Sequence, residues 1–140
     1  MTVKTYDAGQ FILIFGGVSA SGLNDGVFAV ASRDEPAFTN GSGSDGEGWR
    51  AKSNNRTGTI VVTLLQTSLA NDGYSAIAAL DEASGDGVSP ILLKDGSGRT
   101  LIQADTAWIE KYADSEFARD ISTREWTFKT DRLNTFVGGN

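Results

Sequence analysis

Gly41-Ser42-Gly43-Ser44-Asp45-Gly46 satisfies the G-x-G-x-x-G spacing of a dinucleotide-binding turn. That chemistry needs a strand before the turn and a helix after it, so that a helix N-terminus meets the pyrophosphate. Neither pattern flanks this string, which reads as a loop tip. Asp25, Asp45, Asp72, Asp86 and Asp95 each precede a glycine. Acidic turns hold calcium only with alternating ligands and a later glutamate, a spacing none of these has, so turn chemistry accounts for them. Asp81-Glu82 and the pair Asp114 and Glu116 are carboxylate clusters. Glycoside hydrolysis needs two carboxyls facing each other across a cleft, whereas these are neighbours in sequence and read as solvated surface. There is no Cys and no His. Disulfides, zinc sites of Cys and His, and Ser-His-Asp or Cys-His catalysis are thereby excluded. The sequence nominates no catalytic, cofactor-binding or metal-binding residue.

Three tryptophans remain. Trp108 and Trp126 occupy alternating positions among apolar neighbours and read as core. Trp49 stands in a glycine-rich stretch with Arg50, Lys52 and Arg56 close behind, and an aromatic beside three cations suggests contact with a partner. Asn40-Gly41-Ser42 and Asn55-Arg56-Thr57 match a glycosylation sequon that carries no meaning without secretion.

The elements that position these residues are strands and one helix. Residues 11–15 are a short apolar run closed by Gly16-Gly17, the length of a buried strand. Asn24-Asp25-Gly26 is a turn leading to a strand over 27–32. In residues 59–66, Ile60, Val62 and Leu64 alternate with Thr59, Val61, Thr63 and Leu65. A helix is predicted over 69–84, with Ser68 as N-cap, Gly85 after its end, and Leu69, Ala76, Ile77, Leu80 and Ala83 as its apolar stripe. Strands follow over 90–94, 99–111 and 122–130. In the second, Ile102, Ala104, Thr106 and Trp108 share a face opposite Leu101, Gln103, Asp105 and Ala107; in the third, Trp126 and Phe128 lie opposite Glu125, Thr127 and Lys129. Residues 133–140 are a short tail. One core of Trp126, Phe128, Ile60, Val62, Leu64, Ile77 and Leu80 is expected. Residues 33–57 read as a long loop without regular structure, poorly ordered in a free subunit and ordered by a partner.

The 140 residues fit a single domain, large enough to bury a core unaided. The net charge of −6 does not suit phosphate gripping by clustered cations. The N-terminus lacks a basic stretch followed by a long apolar run, so a soluble product outside the secretory route is expected, with no membrane partner. The fold class expected is mainly β, a sandwich or barrel-like domain with a flanking helix.

Several segments carry a family resemblance: Ile14-Phe15-Gly16-Gly17-Val18, Ser53-Asn54-Asn55-Arg56-Thr57-Gly58-Thr59, Ser75-Ala76-Ile77-Ala78-Ala79-Leu80-Asp81-Glu82, Gly85-Asp86-Gly87-Val88, Arg124-Glu125-Trp126-Thr127-Phe128 and Phe136-Val137-Gly138-Gly139-Asn140. In number and order they resemble the tail tube proteins of contractile-tailed bacteriophages; residues 41–48 depart from that pattern.

The resemblance implies a tail tube fold in which strands of neighbouring subunits join into a ring barrel. Six copies make a ring, rings stack into a tube inside the contractile sheath, and DNA passes through without specific binding. It implies no catalysis and no cofactor. The partners implied are further copies of the chain and the sheath, baseplate hub, tail terminator and tape-measure proteins. The location implied is the virion tail, after synthesis in the host bacterial cytoplasm. Under it, Trp49, Arg50, Lys52 and Arg56 become inter-ring loop residues, and Thr59, Thr63, Gln103, Asp105 and Thr127 face the lumen. A carbohydrate- or cell-surface-binding β-sandwich module is the reading from another class, and a different tail, baseplate or secretion-tube component is the third.

Overall fold

A computed structural model describes residues 3–139. Met1 and Thr2, where the N-terminal reading begins, and Asn140, which ends the last resemblance segment, lie outside them. After a 3-10 turn at Ala8–Gln10 come β1 (Ile12–Phe15), β2 (Val18–Ser19), β3 (Ala29–Arg33), β4 (Phe38–Ser42), β5 (Gly48–Lys52) and β6 (Gly58–Leu65). Helix α1 (Ala70–Ser84) then leads to β7 (Ser89–Lys94), β8 (Leu101–Lys111), β9 (Thr123–Thr130) and β10 (Asn134–Phe136).

The main sheet runs β2-β1-β7-β8-β9-β6-β3, with β10 also on β8. Strand β8 belongs to both halves of it. Its first residues pair with β7 and β10, and residues 107–111 pair with β9. The sheet folds over on itself between those halves. Phe15 of β1 and Phe128 of β9 are separated by two intervening strands in the sheet order, yet their rings lie 4.9 Å apart. Leu13, Phe15, Ile91 and Leu93 from one half thus share a core with Ile60, Val62, Leu64, Trp126 and Phe128 from the other. The result is a mainly β sandwich with one helix, its main sheet not closed into a barrel. Each large apolar side chain fully buried there contributes about 1.5–3 kcal/mol.

The fold-over has a local cause. Ser89 pairs with Ala107 but Ile91 with Ala104, so β8 carries one residue more than β7 across that interval. Such a bulge bends the strand and breaks its alternation. Asp105 and Thr106 are both exposed, and the inward set passes from Ile102 and Ala104 to Ala107 and Ile109. The unbroken alternation expected for 99–111 is therefore corrected, and Trp108 is displaced to the outer face opposite Lys129, half-buried instead of in the core.

Helix α1 begins where Ser68 Oγ accepts the Ala70 N–H at 3.2 Å and ends at Gly85, whose left-handed φ of 76° lets its N–H reach the Asp81 carbonyl. Its buried face is Ala70, Tyr74 and Ala78, with Ile77 packed alongside. The stripe read from sequence is rotated from this one. Leu69 is 78% exposed and Leu80 50%, so Leu80 leaves the expected core while the other residues named for it are retained, Ile77 partly buried. Tyr74, with rings of Phe15, Trp126 and Phe128 around it, decides which face turns in.

Residues 33–57 are not a structureless loop. β4 and β5 form an antiparallel hairpin in full register from Phe38↔Lys52 to Ser42↔Gly48. Glycine density concealed it, because Gly41 lies inside a strand: Trp49 crosses Gly41 so closely that a Cβ there would meet the indole at 2.5 Å.

Candidate functional site

The hairpin is a separate two-stranded sheet, and every residue of β5 is exposed. An isolated hairpin is marginal in water, so a surface that completes this one would stabilise it. Paired residues place Phe38, Asn40, Arg50 and Lys52 on one face, and Thr39, Gly41, Trp49 and Ala51 on the other. Arg50 lies over the Phe38 ring at 4.3 Å. Of the four residues expected to act in one loop, Arg50 and Lys52 share a face of the hairpin, Trp49 lies on the opposite face, and Arg56 stands outside the hairpin on the approach to β6.

The base of this arm is tied down. Asp34 N–H donates to the Thr57 carbonyl at 3.0 Å, and Ser53 N–H to that of Ala37 at 2.8 Å. Asp34 accepts from Thr57 Oγ1 at 2.9 Å and Thr59 Oγ1 at 2.7 Å, with Lys129 Nζ 3.9 Å away. The Thr59 hydroxyl, then that of Thr57, and the Lys129 charge hold the Asp34 carboxyl below the usual range, against a smaller opposing effect of burial. Arg33 Nε and Nη2 both donate to the Leu133 carbonyl, whose N–H in turn donates to that of Arg56. Gly58 leaves the space that the Leu133 side chain fills; any Cβ would collide with it.

The residues assigned to the lumen all lie away from the core. Thr59, Thr63 and Thr127 share one outer face with Lys129 and Glu125, since Thr59 pairs with Lys129, Val61 with Thr127 and Thr63 with Glu125. Gln103 pairs with Leu92 on the other half of the sheet, and Asp105 sits at the bulge. They form two patches instead of one row. Lys129, Asp34 and Arg124 were not among the sequence candidates. Arg124 could have been found from parity, because it alternates with Trp126 and Phe128 on the inward face of β9.

The tryptophans offer no common stacking platform: Trp126 is buried and donates from its indole Nε1 to Asn71 Oδ1 at 2.9 Å. Tyr74 is sealed among aromatic rings, and burial pushes its hydroxyl pKa up. Among the described residues, no group of three or more Asp or Glu is arranged to hold a metal ion. None of the described helices is long and apolar enough to cross a membrane.

This architecture, an open sandwich with one helix and a projecting hairpin, defines a fold found in contractile injection systems. The sheath/tube terminator of the extracellular contractile injection system PVC, in its extended state, superposes with a TM-score of 0.60 at 14% identity, covering 98% of this chain and 100% of that one. The PVC sheath-tube complex in the extended state gives 0.58 at 13% identity, covering 94% and 90%. No family model matches the chain. It belongs to the family of the structural protein ORF10 of Pseudomonas phage KPP10, with which it is 30% identical over 122 residues, 86% of this chain and 70% of that protein.

Proposed function

We propose that the chain is a tail tube subunit, assembling into hexameric rings that stack inside a contractile sheath and give DNA its passage. The observation that carries this reading is the hairpin: a regular, anchored arm whose strands lie outside the main sheet. A self-assembling subunit would complete such an arm with the next copy. Kinship with a phage structural protein and likeness to a tube and a terminator support the same role. The role is structural and not enzymatic, in the virion tail. The terminator, sheath, hub and tape-measure proteins are the partners at its ends, flank and lumen. The outward stripe of Leu69, Ala76, Leu80 and Ala83 is the surface offered to the sheath.

A tube-terminating cap is the second reading, favoured by the likeness to the terminator along that chain's whole length. Sedimentation velocity separates the two. A tube subunit gives polymers that lengthen with concentration, and a cap stops at one ring. A chain that stays monomeric at all concentrations would contradict both.

A further inference from the structure

Arg124 is 7% exposed and has no carboxylate within ion-pair distance among the described residues. Its guanidinium donates to three neutral acceptors: Ser122 Oγ at 2.8 Å, the Thr123 carbonyl at 2.9 Å and the Glu116 carbonyl at 3.1 Å. A buried cation with no counter-charge is costly, and a guanidinium's five donors suit a carboxylate above other ligands. Arg124 lines a groove of about 540 Å³ between α1 and the segment after β8. Ser75, Tyr112 and Ser115 are among its polar lining residues, and Phe117 and Trp126 among its aromatic ones. The guanidinium lies over the Phe117 ring at 5.2 Å, which fixes its plane. No acidic residue lines the groove. Asp114, the nearest in sequence on one side, pairs with Lys111 at 3.5 Å, and Glu116 contributes its main-chain carbonyl.

We propose that this groove receives the hairpin tip of a second copy, with Asp45 or Glu47 placed on Arg124. The tip is an acidic segment of the right shape, and it carries two carboxylates where the β7–β8 turn carries Asp95 alone. Asp45-Gly46-Glu47 lies at the end of a two-strand finger, whereas Asp81 and Glu82 lie on a helix too broad for a groove. The turn is preformed, since Asp45 Oδ1 accepts the Glu47 N–H at 3.1 Å and Gly43 N–H donates to the Glu47 carbonyl at 2.8 Å. Strands of five residues reach roughly 17 Å, enough to carry the tip off its own domain, and the tethered base aims it. The contact compensates the buried charge and the unpacked hairpin together. It rests on the self-assembly reading and adds the mating surface.

The absence of cysteine gives a clean test. Full-length Ser44→Cys and Ser115→Cys chains are mixed, allowed to assemble, oxidised and run on a non-reducing gel, with Ser97→Cys replacing Ser115→Cys as the background. The expected result is a tip-to-groove disulfide dimer at least tenfold above background. Adding Asp45→Asn and Glu47→Gln to the Ser44→Cys chain, which keeps the turn acceptor at 45, should reduce that yield at least tenfold. Tubes or rings in the micrographs with only background crosslinking would overturn the inference and leave the tube reading standing. An undiminished crosslink in the neutral-tip variant would overturn the role of Arg124. A sample monomeric at every concentration would overturn the tube reading and this inference with it.

Discussion

Lys129 Nζ donates to Thr59 Oγ1 at 2.9 Å across the β9–β6 pair, and that hydroxyl donates onward to Asp34 at 2.7 Å. The chain of contacts fastens the first residue after β3 to the strand that returns from the hairpin. Lys129→Met should leave the core melting temperature nearly unchanged but speed hydrogen exchange at the Asp34 amide, which is bonded to Thr57. The Asp34 carboxyl is held low, so its contribution is fully present above its unfolded pKa of about 3.9 and is lost as pH falls through the lower folded value. Protection across 33–57, taken relative to the intrinsic exchange rate at each pH, should therefore fall below about pH 4 in the wild type, and Asp34→Asn should flatten that dependence. Equal protection in Lys129→Met and wild type would show that the anchor lies elsewhere.

The core makes a paired prediction. Trp126→Ala should cost about 3–5 kcal/mol, because it empties a ring site and leaves Asn71 Oδ1 unpaired. Tyr74→Phe should be neutral or stabilising by up to about 1 kcal/mol, because the buried hydroxyl finds no hydrogen-bond partner among the described residues. Denaturant melts decide both. A large loss in Tyr74→Phe would mean that the hydroxyl is bonded.

Much of this core is legible in the sequence. Strand β6 reads as a half-buried strand because β-branched residues alternate without interruption, and Ile60, Val62 and Leu64 are all buried as that parity requires. The misread elements share a cause: a tertiary contact overrode a local pattern. The bulge at Asp105–Thr106 exists to fold the sheet, and nothing in 99–111 alone marks it. The helix carries two apolar stripes, and choosing between them requires the ring pocket that takes Tyr74. The hairpin was hidden by its glycines, one of which, Gly41, serves as a seat for Trp49. The anchor Lys129–Thr59–Asp34 joins three segments distant in sequence, which periodicity cannot connect.

The outward stripe of α1 is predicted to matter to a partner and not to the fold. Leu80→Glu should change the monomer's melting temperature by no more than a few degrees, since Leu80 is half exposed. The same change should abolish co-sedimentation of assembled tubes with the sheath protein. Retained co-sedimentation would move the sheath contact to another surface.

The outer faces carry the prediction about DNA. Thr63→Lys with Asp105→Lys should leave assembly intact and slow DNA passage, most strongly at low salt, where phosphate attraction is least screened. Lys129 already sits among these residues, but Thr59 and Asp34 engage its ammonium. Unaltered ejection by the double variant at low salt would remove these positions from the lumen.

Negative-stain micrographs of the purified wild-type chain test the central claim most directly. Rings of six subunits, each of 14.8 kDa, stacking into tubes of uniform width are the predicted result. Dispersed single domains at millimolar concentration, with no rings at any salt, would contradict the account.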